Sequence, residues 1–234
     1  METIDTLALT LGAGWAAGIN LYAAILVLGY LGLTGHVVLP PGLEVLSDPL
    51  VMGIAGIMYF IEFFADKIPG VDSGWDALHT FVRIPAGALL AAGAASGLEV
   101  NQAAELAAAL VGGTMAAGSH FTKAGSRLMI NTSPEPVTNW TASIAEDLAV
   151  IGGLWAALNY PVPFIIMLVI FAGIVIWLLP KIWRALKSLF RRIGALFGKE
   201  PTTTETATGG RQKNPDVLKS LFHSANSGDQ GTEK

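Results

Sequence analysis

Seven ionisable side chains fall within residues 62–83, EFFADKIPGVDSGWDALHTFVR: Glu62, Asp66, Lys67, Asp72, Asp76, His79 and Arg83. Long apolar runs flank them on both sides. A charged group at membrane depth costs about 2.5–3.5 kcal/mol on insertion scales, so it faces a bundle interior or an aqueous cavity rather than lipid. Glu62 and Asp66 stand four residues apart, on one helix face. Asp72, Asp76, His79 and Arg83 follow at i, i+4, i+7 and i+11, a continuous stripe on the next helix. Carboxylates with one imidazole suit a divalent ion or a proton relay, since oxygen ligands hold hard cations and histidine titrates near neutral pH. Glu62, Asp66, Asp72, Asp76 and His79 are therefore the expected ion- or proton-binding set, gathered around a helix break at Pro69-Gly70. Which metal would bind, if one does, stays open.

Plainer roles compete at several of these positions. Ser73-x-x-Asp76 reads as a capping box, Asp72 as a turn residue, and Lys67 and Arg83 as interfacial anchors. Glu62 has no such alternative. Counted from Pro49 at about 1.5 Å per residue it lies roughly 20 Å into its helix, too deep for a cap. A secondary basic face carries His120, Lys123 and Arg127. It could neutralise the acidic stripe, bind a phosphate-like anion, or hold cations at a cytoplasmic helix end. Ser143-Ile-Ala-Glu146 reads as another capping box, with Asp147 complementing the helix dipole. Asn20 and Tyr22 are read as interhelical hydrogen-bonding groups.

The elements that position these residues follow from composition. Of 234 residues, 52% are apolar and 14% charged, with mean hydropathy +0.54. A soluble chain carries about a quarter charged residues, so the chain is expected to be an all-α polytopic membrane protein. About six transmembrane helices are expected near 7–33, 50–66, 78–97, 106–126, 142–159 and 162–180. The alanine- and glycine-rich fourth and the acid-bearing fifth are the weakest, which leaves five spans with one re-entrant segment as the competing topology. Lys181, Arg184, Lys187, Arg191 and Arg192 follow the last run, and by the positive-inside rule place the C-terminus in the cytoplasm. An even span count then puts the N-terminus there too. The loops 34–49, 98–105 and 159–161 carry no Lys or Arg, in keeping with the opposite side.

Residues 1–180 thus form a transmembrane domain. Residues 181–199 form a basic amphipathic helix suited to anionic inner-leaflet lipids, and 200–234 a polar, disordered cytoplasmic tail. The tail repeats LKSLF of 186–190 at 218–222. Residues 11–22 and 111–122 match in Gly12/Gly112 and in the Ala-Ala-Gly runs at 16–18 and 116–118. Two inverted three-helix repeats would follow, as in many transporters; the bland alternative is that glycine-rich helices resemble one another.

Composition also excludes. With no cysteine and a net charge of −4, thiolate chemistry is ruled out and nucleic acid is not an expected partner. No nucleophile elbow, HExxH or phosphate-binding glycine loop occurs, so neither an enzyme nor a bound cofactor is expected. The lipid bilayer is the expected partner; a homo-oligomer stays open.

GINLYAAILVLGYLG near Gly18, EFFADKIPGVDSGWDALHT from Glu62, and GSHFTKAGSR with NTSPEPVTNW and SIAED across 118–147 resemble a bacterial inner-membrane family catalogued as domain of unknown function 4126. The resemblance covers roughly 7–180 and implies fold and location alone. The leading functional expectation is a small secondary transporter or channel-like protein for a cation or proton-coupled solute. The second is a membrane scaffold or accessory subunit with an internally paired polar core. The third is a lipid-handling enzyme or flippase using the basic face.

Overall fold

The computed structural model describes residues 2–98, 101–132 and 136–197, and among them every regular element is a helix. The order is α1 (Thr3–Leu33), a short 3-10 helix (Pro41–Ser47), α2 (Pro49–Ala65), α3 (Val71–Ala95), α4 (Gln102–Ile130), α5 (Pro136–Asn159) and α6 (Pro161–Phe197). Each expected span is therefore a helix. Four helices or helix segments are long and apolar enough to cross a membrane: α1, α3, Val137–Asn159 and Pro161–Leu178. A fifth crossing results if the 3-10 helix and α2, bent 68° apart, count as one. The expected tail, 200–234, with its second LKSLF, lies outside the described residues. The basic segment after 180 continues α6 through Pro180 instead of starting a new helix.

Local chemistry sets the boundaries. Asp48 caps α2, its Oδ1 accepting from Leu50 N at 2.8 Å. Gly70, at φ +87°, makes the left-handed turn into α3 that a side chain would resist. Asn101 caps α4 through Ala104 N at 3.0 Å. Pro136 and Pro161 open α5 and α6, at first-turn positions where a missing N–H costs nothing.

The break inside α1 governs the architecture. Asn20 leaves helical geometry at φ −145°, ψ 99°, and the chain folds back there. The first half runs beside α4 in the same direction, because Gly14 meets Gly112 and Gly18 meets Ala116. Thr6 and Thr10 lie alongside Ala95, Leu98 and Ala104. The second half returns to that same end: Gly29 abuts Leu46, and Gly42, in the 3-10 helix, abuts Gly93 near the close of α3. The tip at Asn20 is thus buried in the bundle, and α1 is a helical hairpin where a single span was expected. Of the matched segments, 11–19, before the break, runs parallel to 111–119, whereas an inverted pair runs opposed.

Close approach at the hairpin depends on missing side chains. A Cβ on Gly14 would lie 2.7 Å from both Cα and O of Gly112, so α1 and α4 meet backbone to backbone. Gly14→Val should force them apart and cost about 1–3 kcal/mol of stability, read as a lowered melting temperature of purified protein. Gly53→Val is the matched control, since a Cβ there meets nothing within 4 Å. Equal melting of the two variants would contradict this packing.

The distribution of polarity is that of a membrane protein. Phe81 is 83% exposed and Leu89 73%, while Glu62, Asp76 and Arg83 are 0% exposed. Apolar side chains coat the outside and charges fill the centre, the arrangement that lipid rather than water rewards.

Candidate functional site

The buried charges form one layer at the level of the α1 tip. Arg83, from α3, donates to Glu62 Oε1 at 2.7 Å and to Asp76 Oδ1 at 2.9 Å. Lys123, from α4, lies 2.8 Å from Asp66, 3.4 Å from both Glu62 and Glu146, and 3.8 Å from Asp76. Arg127, one turn on, grips Glu146 with two bonds of 3.2 and 2.7 Å and donates to the Asp66 carbonyl at 2.9 Å. Four carboxylates, from α2, its C-cap Asp66, α3 and α5, thus meet three cations from α3 and α4, a formal excess of one negative charge. Glu62 Oε2, Asp66 Oδ1 and Asp76 Oδ2 have no hydrogen-bond donor among the described residues.

The α1 break opens its backbone toward this layer. Asn20 Oδ1 accepts from Ala23 N at 2.9 Å, capping the second half of the hairpin. Its amide donates to Asp147 Oδ1 at 2.9 Å, and Tyr59 donates to the other oxygen at 3.1 Å. The carbonyl of Ile19, freed by the break, accepts from Lys123 at 3.2 Å. Irregular backbone at membrane depth persists only where protein or a cavity satisfies it, and here the charged layer does so.

The expected set divides. Glu62, Asp66 and Asp76 enter the layer. Asp72 does not: it accepts from Gly70 N, Ser73 N and Asn131, fixing the turn before α3. His79 stands beside the layer without an ion pair among the described residues. It stacks on Trp75, and its Nδ1–H donates to the Trp75 carbonyl at 2.9 Å, so Nε2 accepts from Tyr22 at 3.1 Å. Nor do the acidic groups form a metal shell: among the described residues no three His, Asp or Glu side chains gather as metal ligands. The carboxylates turn toward Arg and Lys instead.

The basic face splits too. His120 Nδ1 faces an Arg83 N–H at 3.2 Å, and a guanidinium only donates, so this nitrogen accepts. Nε2–H then donates to Thr80 Oγ1 at 2.8 Å. His120 supports Arg83 rather than adding a third cation beside Lys123 and Arg127.

A family model described as domain of unknown function (DUF4126) matches residues 7–181, from the α1 hairpin through the apolar length of α6. The chain belongs to this family. No curated protein and no solved structure matches it.

In this DUF4126 chain two participants escape sequence reading, and both lie in α5. Because the helix begins at Pro136, Ser143 sits well inside it and cannot cap it. Glu146 and Asp147 are therefore interior residues aimed at Arg127 and Asn20. The signal was present in Pro136, a residue that favours the first helical turn. Ser73-x-x-Asp76 fails as a cap for the same reason, since α3 already starts at Val71 behind Gly70. Lys67, just outside α2, donates to Phe63 O at 3.0 Å and covers the Phe63 ring. Burial pushes its ammonium below the usual lysine range, against the pull of Asp147 and Asp66.

Proposed function

We propose that the protein is a small membrane transporter that moves a proton, or exchanges a proton for a cation, through the charged layer, and that it catalyses no covalent reaction. The observation that carries this is the broken hairpin of α1, whose tip places the freed Ile19 carbonyl on Lys123 of the charged layer. Discontinuous helices meeting at membrane depth are how secondary transporters build substrate and coupling-ion sites. The layer supplies chemistry for a proton: one carboxylate more than its cations, and three carboxyl oxygens without donors. The flanking cations fall at one end of the bundle, Lys67 after α2 and Lys181, Arg184 and Lys187 after the apolar run of α6, while 34–49 and 159–161 at the other end have none. The positive-inside rule makes the first end cytoplasmic. Since α1 folds back, residues 2–6 then belong to the outer side, opposite the end of α6, whereas an even span count required both inside.

The test is an imposed pH gradient across proteoliposomes, followed with an internal pH-sensitive dye, with and without alkali cations. Wild type should collapse the gradient faster than empty vesicles, and Glu62→Gln, reconstituted to the same level, should not. Equal rates for wild type, variant and empty vesicles would remove the transport reading. They would favour the second one, a scaffold whose polar core is paired internally, which the near-complete ion pairing supports.

A further inference from the structure

A recess of about 250 Å³ opens beside the charged layer, walled by Ser119, Thr122, Lys123, Ser126 and Glu146 with Phe171 of α6. Its hydroxyl hydrogens are already committed. Ser119 donates to Trp15 O, Thr122 to Gly118 O and Ser126 to Lys123 O, each at 2.8 Å. A hydroxyl has one hydrogen and two lone pairs, so these three present acceptors. Lys123 likewise directs its ammonium at Ile19 O, Glu62 and Asp66. Glu146 is the most accessible carboxylate of the layer, its side chain 17% exposed. Most of the exposed lining is apolar, with Ile19, Ala145 and Ala149 among the walls; its polar atoms are these acceptors and Glu146, which Arg127 and Lys123 already pair, with the layer's formal excess of one negative charge behind it.

A second recess of about 420 Å³ adjoins the first, sharing Ala149 and Phe171 as walls. Trp15, Gly152, Met167 and Leu168 complete it, and its surface is almost wholly apolar. Aromatic faces such as those of Trp15 and Phe171 attract cations as well as apolar surface. We propose that this two-part cleft binds a lipophilic organic cation, reached sideways from the membrane. The charged head lies by Glu146 and the apolar body lies against Trp15 and Phe171. The proposal rests on the reading of the charged layer as a transport site, and names its substrate class.

The probe is radiolabelled tetraphenylphosphonium, equilibrium-dialysed against the full chain in zwitterionic nanodiscs, with empty nanodiscs subtracted. It should bind saturably, and tetraphenylborate, of the same shape and opposite charge, should not. Gly152→Leu fills the apolar recess without unseating a helix, since a Cβ there meets nothing within 4 Å. It should weaken binding about tenfold or more at an unchanged melting temperature, and Glu146→Gln should weaken it as well. Equal retention of tetraphenylborate, or wild-type affinity in Gly152→Leu, would overturn the proposal. Absent binding alongside a collapsing pH gradient would overturn the ligand class and leave transport standing. Saturable, charge-selective binding without any gradient collapse would uphold the cleft and remove the transport reading.

Discussion

Lys123→Met is expected to lower the melting temperature further than any carboxylate replacement in the charged layer, and to leave little folded protein in the membrane. Lys123 stands within 4 Å of Glu62, Asp66, Asp76 and Glu146. Without it, four carboxylates face two guanidinium groups, and removing one partner of a buried ion pair costs about 3–5 kcal/mol. Glu146→Gln works in the opposite direction. It leaves three carboxylates against three cations, at the least buried position of the layer, so its cost should be smaller. Melting curves of the two variants beside wild type check the asymmetry. If Glu146→Gln melts lower than Lys123→Met, the excess negative charge assigned to the layer is wrong.

Asn20→Ala is expected to loosen the tip of the α1 hairpin. It removes the cap on Ala23 N, worth about 1 kcal/mol, and one of the two donors to Asp147, where an unsatisfied buried acceptor costs about 1–3 kcal/mol. The absence of native cysteine allows a direct readout. Ala24, 0% exposed in the returning half, can be replaced by cysteine and probed with a membrane-permeant maleimide. The thiol should be protected in the otherwise native chain and react readily beside Asn20→Ala. Equal protection in both would show that the fold-back is held by packing alone, and that Asn20 does not control it.

These outcomes bear on two uses of one arrangement. A layer of paired charges can stiffen a bundle, and the same layer with a surplus carboxylate can pass a proton. Stability measurements address the first use and flux the second, so a variant such as Glu62→Gln is informative only when both are recorded on the same preparation.

The amino-acid sequence by itself determined that the chain is helical and apolar outside, that α2 through α6 occupy the expected runs, and that Glu62 lies inside the bundle. Those properties are local or one-dimensional: hydrophobic length, proline and glycine punctuation, and the cost of a charge at depth act on each segment alone. Glu62, Asp66 and Asp76 were legible because they are crowded into a short stretch with no room in lipid. Their partners were less so. Lys123 and Arg127 come from α4, and Glu146 and Asp147 from α5, far away along the chain, and each pattern also fits a cap or an interfacial anchor. Only the tertiary structure decided which pairing wins, because pairing energy depends on distances between helices. Asn20 shows the limit most clearly. Nothing in a run of glycine, alanine and leucine marks a fold-back, and an unbroken helix satisfies the local backbone equally well. The break persists because Lys123 of α4 donates to the Ile19 carbonyl it frees, and because Asp147 of α5, itself held by Tyr59 of α2, fixes the Asn20 side chain that caps Ala23 N.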